Sequence, residues 1–343
     1  MAKLNERLNE LLEQSVEDYI KTFVPISSGA VVKRLKSAKS PATVRNDLKT
    51  LEQMGYLRQV HTSGGRVPTT MGYRTYVNNI METLRLKHGE LGVAADLIGE
   101  RVSNLPSMID EICKGLSETF DLPIIVKHKF DGLVVQDIRV VGLIQGATLV
   151  LIKTNAGSIT QTLQTDMPMP ETACDDASAA LMTACVGMTL GQMIADLPAI
   201  AAKLEKELEH FGLLVSKLSE KLEKVMTNTS RMNVIKLLDI PDYANVEKVK
   251  RLGRTIEDDR AVEQLLAGED TVVIGAELSE DLDDASVIKF DYKIGDERVA
   301  SVGILGPERM DYKSLITALY SLLATTVSNR QLTAGKEGKK SGK

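Results

Sequence analysis

The stretch Ser40-Pro41-Ala42-Thr43-Val44-Arg45-Asn46-Asp47-Leu48-Lys49-Thr50-Leu51-Glu52-Gln53-Met54-Gly55, followed closely by His61-Thr62-Ser63-Gly64-Gly65-Arg66-Val67-Pro68-Thr69, decides the architecture of this chain. Ser40 can accept a hydrogen bond from a first-turn amide, and Pro41 suits the first helical position, where no donor is needed. Val44, Leu48 and Leu51 then recur at i, i+4 and i+7, one face of a helix that Gly55 stops. At 100° per residue, Ala42, Asn46, Lys49 and Gln53 lie near the opposite side, with Thr43 and Arg45 flanking them. Asn can pair bidentately with adenine and Arg with guanine, while Lys neutralises phosphate, so this face suits a DNA groove. Taken alone, the same pattern fits a solvated polar face.

Its surroundings favour the groove. Upstream, Leu8, Leu12, Val16, Tyr19, Ile20 and Phe23 keep helical spacing until Pro25, and Ser27 or Ser28 can cap a short second helix carrying Val31, Val32 and Leu35. A basic turn, Lys36 to Lys39, leads into the quoted helix. Downstream, Tyr56, Leu57 and Val60 read as a short strand, His61 to Arg66 as a hairpin tip, and Val67 to Thr69 as the return. Flexible glycines with small hydroxyls and one Arg at a tip can approach a DNA backbone or enter a minor groove. A helix over Met71 to Leu86 follows. Two helices, a reading helix, then strand, basic loop and strand is the winged helix-turn-helix order, here over residues 1–88. Its expected DNA contacts are Ser40, Thr43, Arg45, Asn46 and Lys49 from the helix, and His61, Thr62, Ser63 and Arg66 from the wing.

The charge distribution agrees. The chain carries −5 in all, yet residues 1–90 hold 14 Lys or Arg against 9 Asp or Glu, which leaves −10 for the rest. A basic head on an acidic body turns only one surface toward phosphate. At 343 residues, two or three domains are expected. No apolar run approaches the ~20 residues of a membrane helix and no signal peptide opens the chain, so a cytoplasmic protein is expected. Cys113, Cys174 and Cys185 have no metal-ligand spacing and read as buried thiols.

Beyond the head, residues 91–119 have helical spacing interrupted at Pro106. Leu133 to Val141, Thr148 to Thr154 and Ser158 to Leu163 read as an antiparallel meander. The pattern is then helical to about Leu266, with breaks at Pro198 and Pro241. Strand signals return at Thr271 to Ile274, Val287 to Tyr292 and Val299 to Ile304, and a last helix spans about Tyr312 to Val327. The economical reading is a multidomain α+β chain: one α+β domain over 89–187 and 268–330, a helical insertion over 188–267, and a disordered basic tail over 331–343. Leu204, Leu208, Phe211, Val215, Leu218, Leu222 and Val225 alternate steps of four and three, a coiled-coil seam through which two copies could dimerise. Core packing within one chain produces nearly the same stripe.

A catalytic constellation is missing from the sequence. His61, His88, His128 and His210 belong to no H-E-x-x-H, and no G-x-S-x-G, P-loop or G-x-G-x-x-G is present. Cys113 and His128 could be imagined as nucleophile and base, but nothing in the sequence brings them together. No enzyme activity, metal or cofactor is expected.

Three stretches resemble one family: Ser40 to Asp47 with Leu51 and Gly55; His61 to Thr69 followed by Gly72-Tyr73-Arg74; and Gly303-Ile304-Leu305-Gly306-Pro307-Glu308-Arg309-Met310-Asp311-Tyr312. In them the chain resembles the HrcA family of heat-inducible transcription repressors. The resemblance implies a winged-helix head, a GAF-like domain and a dimerising domain inserted into it. It also implies repression of bacterial chaperone operons by a homodimer on an inverted-repeat operator of double-stranded DNA, in the cytoplasm and on the nucleoid. Activity would be lost on heat stress and maintained by a GroEL-type chaperonin. An inverted repeat suits a two-fold dimer with equivalent heads. A different expectation is a winged-helix regulator gated by a small molecule in its GAF-like domain.

Overall fold

The computed structural model describes residues 4–35, 40–60, 65–88, 93–94, 104–165, 168–204, 211–279, 282–294 and 297–320. It is a mixed α+β structure that divides into two compact units: Met1–Leu91 with Val234–Lys289 and Ile304–Leu322, and Gly92–Asn233 with Phe290–Gly303 and Leu323–Lys343.

The first unit opens with α1 (Glu6–Thr22), α2 (Ser28–Val32) and α3 (Pro41–Gln53). Asn5 caps α1 by accepting the Leu8 N–H at 2.9 Å, and Ser27 caps α2. Leu8, Leu11, Leu12, Val16, Val31, Val44, Leu48 and Leu51 are all buried. Helix α3 ends as glycine dictates: Gly55 takes φ 84°, its N–H donates to the Glu52 carbonyl at 3.0 Å, and the Tyr56 N–H donates to Leu51 at 2.9 Å. Strands β1 (Leu57–Gln59) and β2 (Arg66–Pro68) pair antiparallel, Leu57 opposite Pro68. Ile26 adds a bridge on the far side of β2, and a Cβ on Gly65 would stand 2.7 Å from the Pro25 carbonyl. Then come α4 (Thr70–His88) and, after β3 to β8 of the other unit, α9 (Val246–Glu257), α10 (Asp259–Leu266), β9 (Val272–Ile274) and a helix, α11, over residues 312–320.

The second unit holds β3 (Val93–Ala94), α5 (Leu105–Phe120), β4 (Ile124–His128), β5 (Val135–Gly142), β6 (Ala147–Thr154), β7 (Ser158–Gln164), α6 (Glu171–Cys185), α7 (Leu190–Leu204), α8 (Phe211–Thr227) and β8 (Thr229–Met232). Strands β5, β6 and β7 form the expected meander as a sheet of their own, with Ile138 opposite Ile152 and Ile152 opposite Ile159, all three buried. A second sheet has the order β3-β10-β11-β4-β8, where β10 is Ala285–Ile294 and β11 is Glu297–Pro307; β9 also pairs β10.

Four expectations change. Pro106 begins α5 instead of interrupting a helix, because a first-turn residue needs no N–H. Pro198 lies inside α7 on an exposed side, where water can serve the carbonyl that loses its donor. Strand β8 falls within 188–267 and pairs antiparallel with β4, Ile124 opposite Met232, so that span is not helical throughout. Thr229-Ser230-Arg231-Met232 is short and polar, without the alternation that announces a strand.

The supposed dimer seam is the fourth. Phe211, Val215, Leu218 and Leu222 are at most 1% exposed in the single chain, because α8 packs on α7, β7 and β4. Val225 is half-buried, Leu204 is the last residue of α7, and Leu208 lies outside the described residues. The four buried side chains are covered within the chain itself. The chain beyond residue 320, including 331–343, also lies outside the described residues.

Candidate nucleic-acid interface

Helix α3 is held from one side and open on the other. Ser40 caps it: its hydroxyl accepts the Thr43 N–H at 3.2 Å and shares a hydrogen bond with the Thr43 hydroxyl at 2.9 Å. Val44, Leu48 and Leu51, each 0% exposed, fix its inner face. Asp47 turns inward as well and accepts a hydrogen bond from the Arg7 guanidinium of α1 at 2.8 Å. Opposite, Ala42, Arg45, Asn46, Lys49 and Gln53 are exposed and Thr43 is half-buried. Arg45, Asn46 and Lys49 make no side-chain hydrogen bond or ion pair to a described residue. Two cations and a bidentate amide on one rigid face are what a polyanion with readable edges requires.

The hairpin is placed differently from its reading. The Val60 N–H donates to the Gly65 carbonyl at 3.2 Å and closes the loop. His61, Thr62 and Ser63 lie outside the described residues. Arg66 stands at the base, not the tip. Its backbone exchanges hydrogen bonds with Ile26 at 2.7 and 2.9 Å, and its Nε donates to the Glu52 carboxylate in the last turn of α3 at 2.8 Å. At 16% side-chain exposure, Arg66 fastens the hairpin to α3. Sequence spacing could not reveal this, because nothing local marks Glu52 as its partner.

A second set of residues orients this surface. Helix α4 approaches β1 so closely that a Cβ on Gly72 would lie 2.3 Å from the Tyr56 carbonyl oxygen. Its first turns then meet the segment between β11 and α11. The Thr70 hydroxyl donates to Glu308 at 2.7 Å, and the Tyr73 and Tyr312 rings are 6.3 Å apart. Arg74 pairs with Glu277 and donates to the Val272 carbonyl at 2.7 Å. Arg309 lies 4.3 Å over the Phe23 ring while holding Asp242 with two nitrogens, and Lys313 reaches Glu17 at 2.7 Å. Tyr312 is fully buried, donating to the Glu308 carbonyl at 2.6 Å. Burial, with Asp283 and Asp284 nearby, pushes the Glu308 carboxyl up against the lowering effect of Thr70. The two stretches Gly72-Tyr73-Arg74 and Gly303 to Tyr312 thus form one contact, which their separation in sequence concealed.

The imagined Cys113 and His128 pair has no such poise. Burial, then Asp110, pushes the Cys113 thiol up to about 12, so it stays protonated at neutral pH. His128 is buried, stacked on Phe130 at 5.0 Å, with Nε2 3.3 Å from Asp110. Cys174 and Cys185 are buried free thiols too. Among the described residues, no group of three or more His, Cys, Asp or Glu could hold a metal ion, and no helix is long and apolar enough to cross a membrane.

Fold and site define an α+β chain in which a polar, cationic face of α3 is turned outward. The model of the HrcA protein C-terminal domain matches residues 107–316. The chain belongs to the HrcA family. It is similar to the heat-inducible transcription repressor HrcA of Symbiobacterium thermophilum, 27% identical over 93% of this chain and 96% of that protein. The Brevibacillus brevis protein of the same name is 28% identical over the same two shares, 93% and 96%. A crystal structure of a hypothetical protein at 2.2 Å resolution shares the fold, with TM-score 0.70 at 22% identity over 94% of this chain and 98% of that one.

Proposed function

We propose that this chain is a negative transcriptional regulator of heat-shock chaperone operons that binds an inverted-repeat operator as a homodimer. Residues 1–88 act as a winged helix-turn-helix head, with Arg45, Asn46 and Thr43 on base edges and Lys49 on phosphate. Ser40 orients the start of that helix, and His61, Thr62 and Ser63 extend the contact from the wing. The β10-β11 sheet belongs to a GAF-like domain. The protein acts in the bacterial cytoplasm on nucleoid DNA and performs no catalysis. Heat removes the active fold, and a GroEL-type chaperonin maintains it.

One observation carries the reading: Arg45, Asn46 and Lys49 stand exposed on a helix whose other face is fully buried. Family membership and the name shared by the relatives supply the target. The test is binding of the full-length protein to an inverted-repeat chaperone operator and to a scrambled duplex of equal length, at physiological salt. Preference for the operator, lost after mild heating and regained with chaperonin, is expected. Equal affinity for both duplexes refutes the repressor assignment, and binding unchanged by heating refutes the heat response.

A further inference from the structure

The outward side of α3 can address a row of base edges only at one angle of roll about the helix axis. On a helix about 10–12 Å across, a roll of about 20° carries a surface group by roughly 2 Å, enough to take a bidentate amide or guanidinium out of register with a base. Val44, Leu48 and Leu51 decide which side of α3 faces the core, but hydrophobic contact is non-directional and sets that angle loosely. A charge-assisted hydrogen bond sets it more tightly.

Asp47 makes such a bond. At 100° per residue it lies about 60° to one side of Val44, and Glu52 about 80° to the other, so a carboxylate borders the buried stripe on each flank. The two are held differently. Glu52 stands in the last turn and is tied to Arg66 of the hairpin. Asp47 adjoins Asn46 in the middle of α3, and its Oδ1 accepts a hydrogen bond from Nη2 of Arg7 at 2.8 Å; Arg7 belongs to α1, which packs directly on α3. The Asp47 side chain is only 7% exposed, whereas that of Arg7 is 51% exposed. An inward carboxylate is thus paired by a guanidinium that reaches it from the solvent side. Without Arg7 the buried charge loses that pairing, and turning α3 so that Asp47 swings toward water relieves the loss. The same turn carries Asn46 away from its place and brings a negative charge toward the DNA phosphates.

We propose that Arg7 is a positioning residue for operator recognition: through Asp47 it fixes the roll of α3, and so the base preference of Arg45 and Asn46, without itself touching DNA. This rests on the repressor reading.

The full chain is titrated with the inverted-repeat operator, with single-base variants of it and with a scrambled duplex, over a range of salt, with thermal melts alongside. Arg7→Ala is expected to lower the ratio of operator to scrambled-duplex affinity by about tenfold and to flatten the preference at several adjacent base pairs, where Arg45→Ala affects one. The salt slope keeps its wild-type value. A loss of folded protein alone would weaken both duplexes alike and leave the ratio intact. Asp47→Leu, which puts an apolar side chain at this buried position, is expected to bring the ratio of the Arg7→Ala protein back to within about threefold of the wild type. Arg7→Gln, which keeps much of the stem and removes the charge, is expected to lower the ratio as well and takes the place of Arg7→Ala should that variant not fold. A wild-type ratio in whichever of these two folds overturns the proposal alone, and so does a lowered ratio that Asp47→Leu fails to restore. A salt slope reduced by about one unit makes Arg7 a phosphate contact and overturns it too. A wild type with no preference for the operator refutes the repressor reading, and this proposal with it.

Discussion

Helices α3 and α8 carry the same kind of apolar stripe and both bury it within the chain, although spacing alone offers the second as an interface. Val44, Leu48 and Leu51 bury one side of α3 and leave Arg45, Asn46 and Lys49 facing out without partners among the described residues. Phe211, Val215, Leu218 and Leu222 bury one side of α8 against the chain's own helix and strands. Periodicity states which side of a helix is apolar; it does not state what covers that side. An α3 stripe read as core and an α8 stripe read as an interface differ only in the partner, and the partner is a tertiary fact.

The comparison breaks first at α8. Leu218→Ala should cost about 2–5 kcal/mol in urea unfolding, the penalty for a cavity in a packed core. A variant of unchanged stability that sediments at a lower oligomeric state would instead return this stripe to the interface. On α3 the effect belongs to recognition. Arg45→Ala should lose about 1–3 kcal/mol of discrimination at one base pair, with the melting temperature unmoved. Arg66→Ala sharpens the difference between reading and fastening. Losing the partly buried Glu52 contact should lower stability by about 1 kcal/mol and weaken operator binding without changing base preference. Lys49→Ala should weaken binding to every duplex alike and reduce the salt slope by about one unit.

The smallest effect concerns pH. Burial raises the Glu308 carboxyl above its ordinary value, so the folded state holds this proton more tightly than the unfolded state. Its contribution is fully present below the unfolded carboxyl range and is lost as pH rises through the raised folded value. Glu308→Gln should accordingly flatten the pH dependence of the melting temperature in that window and be the more stable form at neutral pH. A wild-type curve that rises through the same window, with the variant parallel to it, would show that Glu308 is not the group responsible.

Legibility followed the range of the interactions. Caps, glycine stops and hairpin order are local, so α1, α2, α3, β1 and β2 could be read directly from Ser27, Ser40, Pro41 and Gly55, and so could the exposed side of α3. The meander strands were readable because Leu133 to Val141, Thr148 to Thr154 and Ser158 to Leu163 are rich in β-branched residues and are separated by the turn stretches Gly142 to Gly146 and Asn155 to Gly157. What escaped depends on distant pairing. Strand β8 is too short and polar to declare itself, Arg66 is defined by Glu52, and Thr70, Tyr73 and Arg74 are defined by residues about two hundred positions later, as the separations of 238 and 203 for Thr70–Glu308 and Arg74–Glu277 show. The quoted stretch Gly303 to Tyr312 marked the place of that contact but not its partner.

The central claim is that the outward side of α3 reads DNA. Its most direct test compares the wild type, Arg45→Ala and Asn46→Ala for the ratio of operator to scrambled-duplex affinity at fixed physiological salt, with thermal melts alongside. The account predicts a high ratio for the wild type that collapses in both variants while their melting temperatures match it. A ratio left intact in both variants would place the reading surface elsewhere on the molecule.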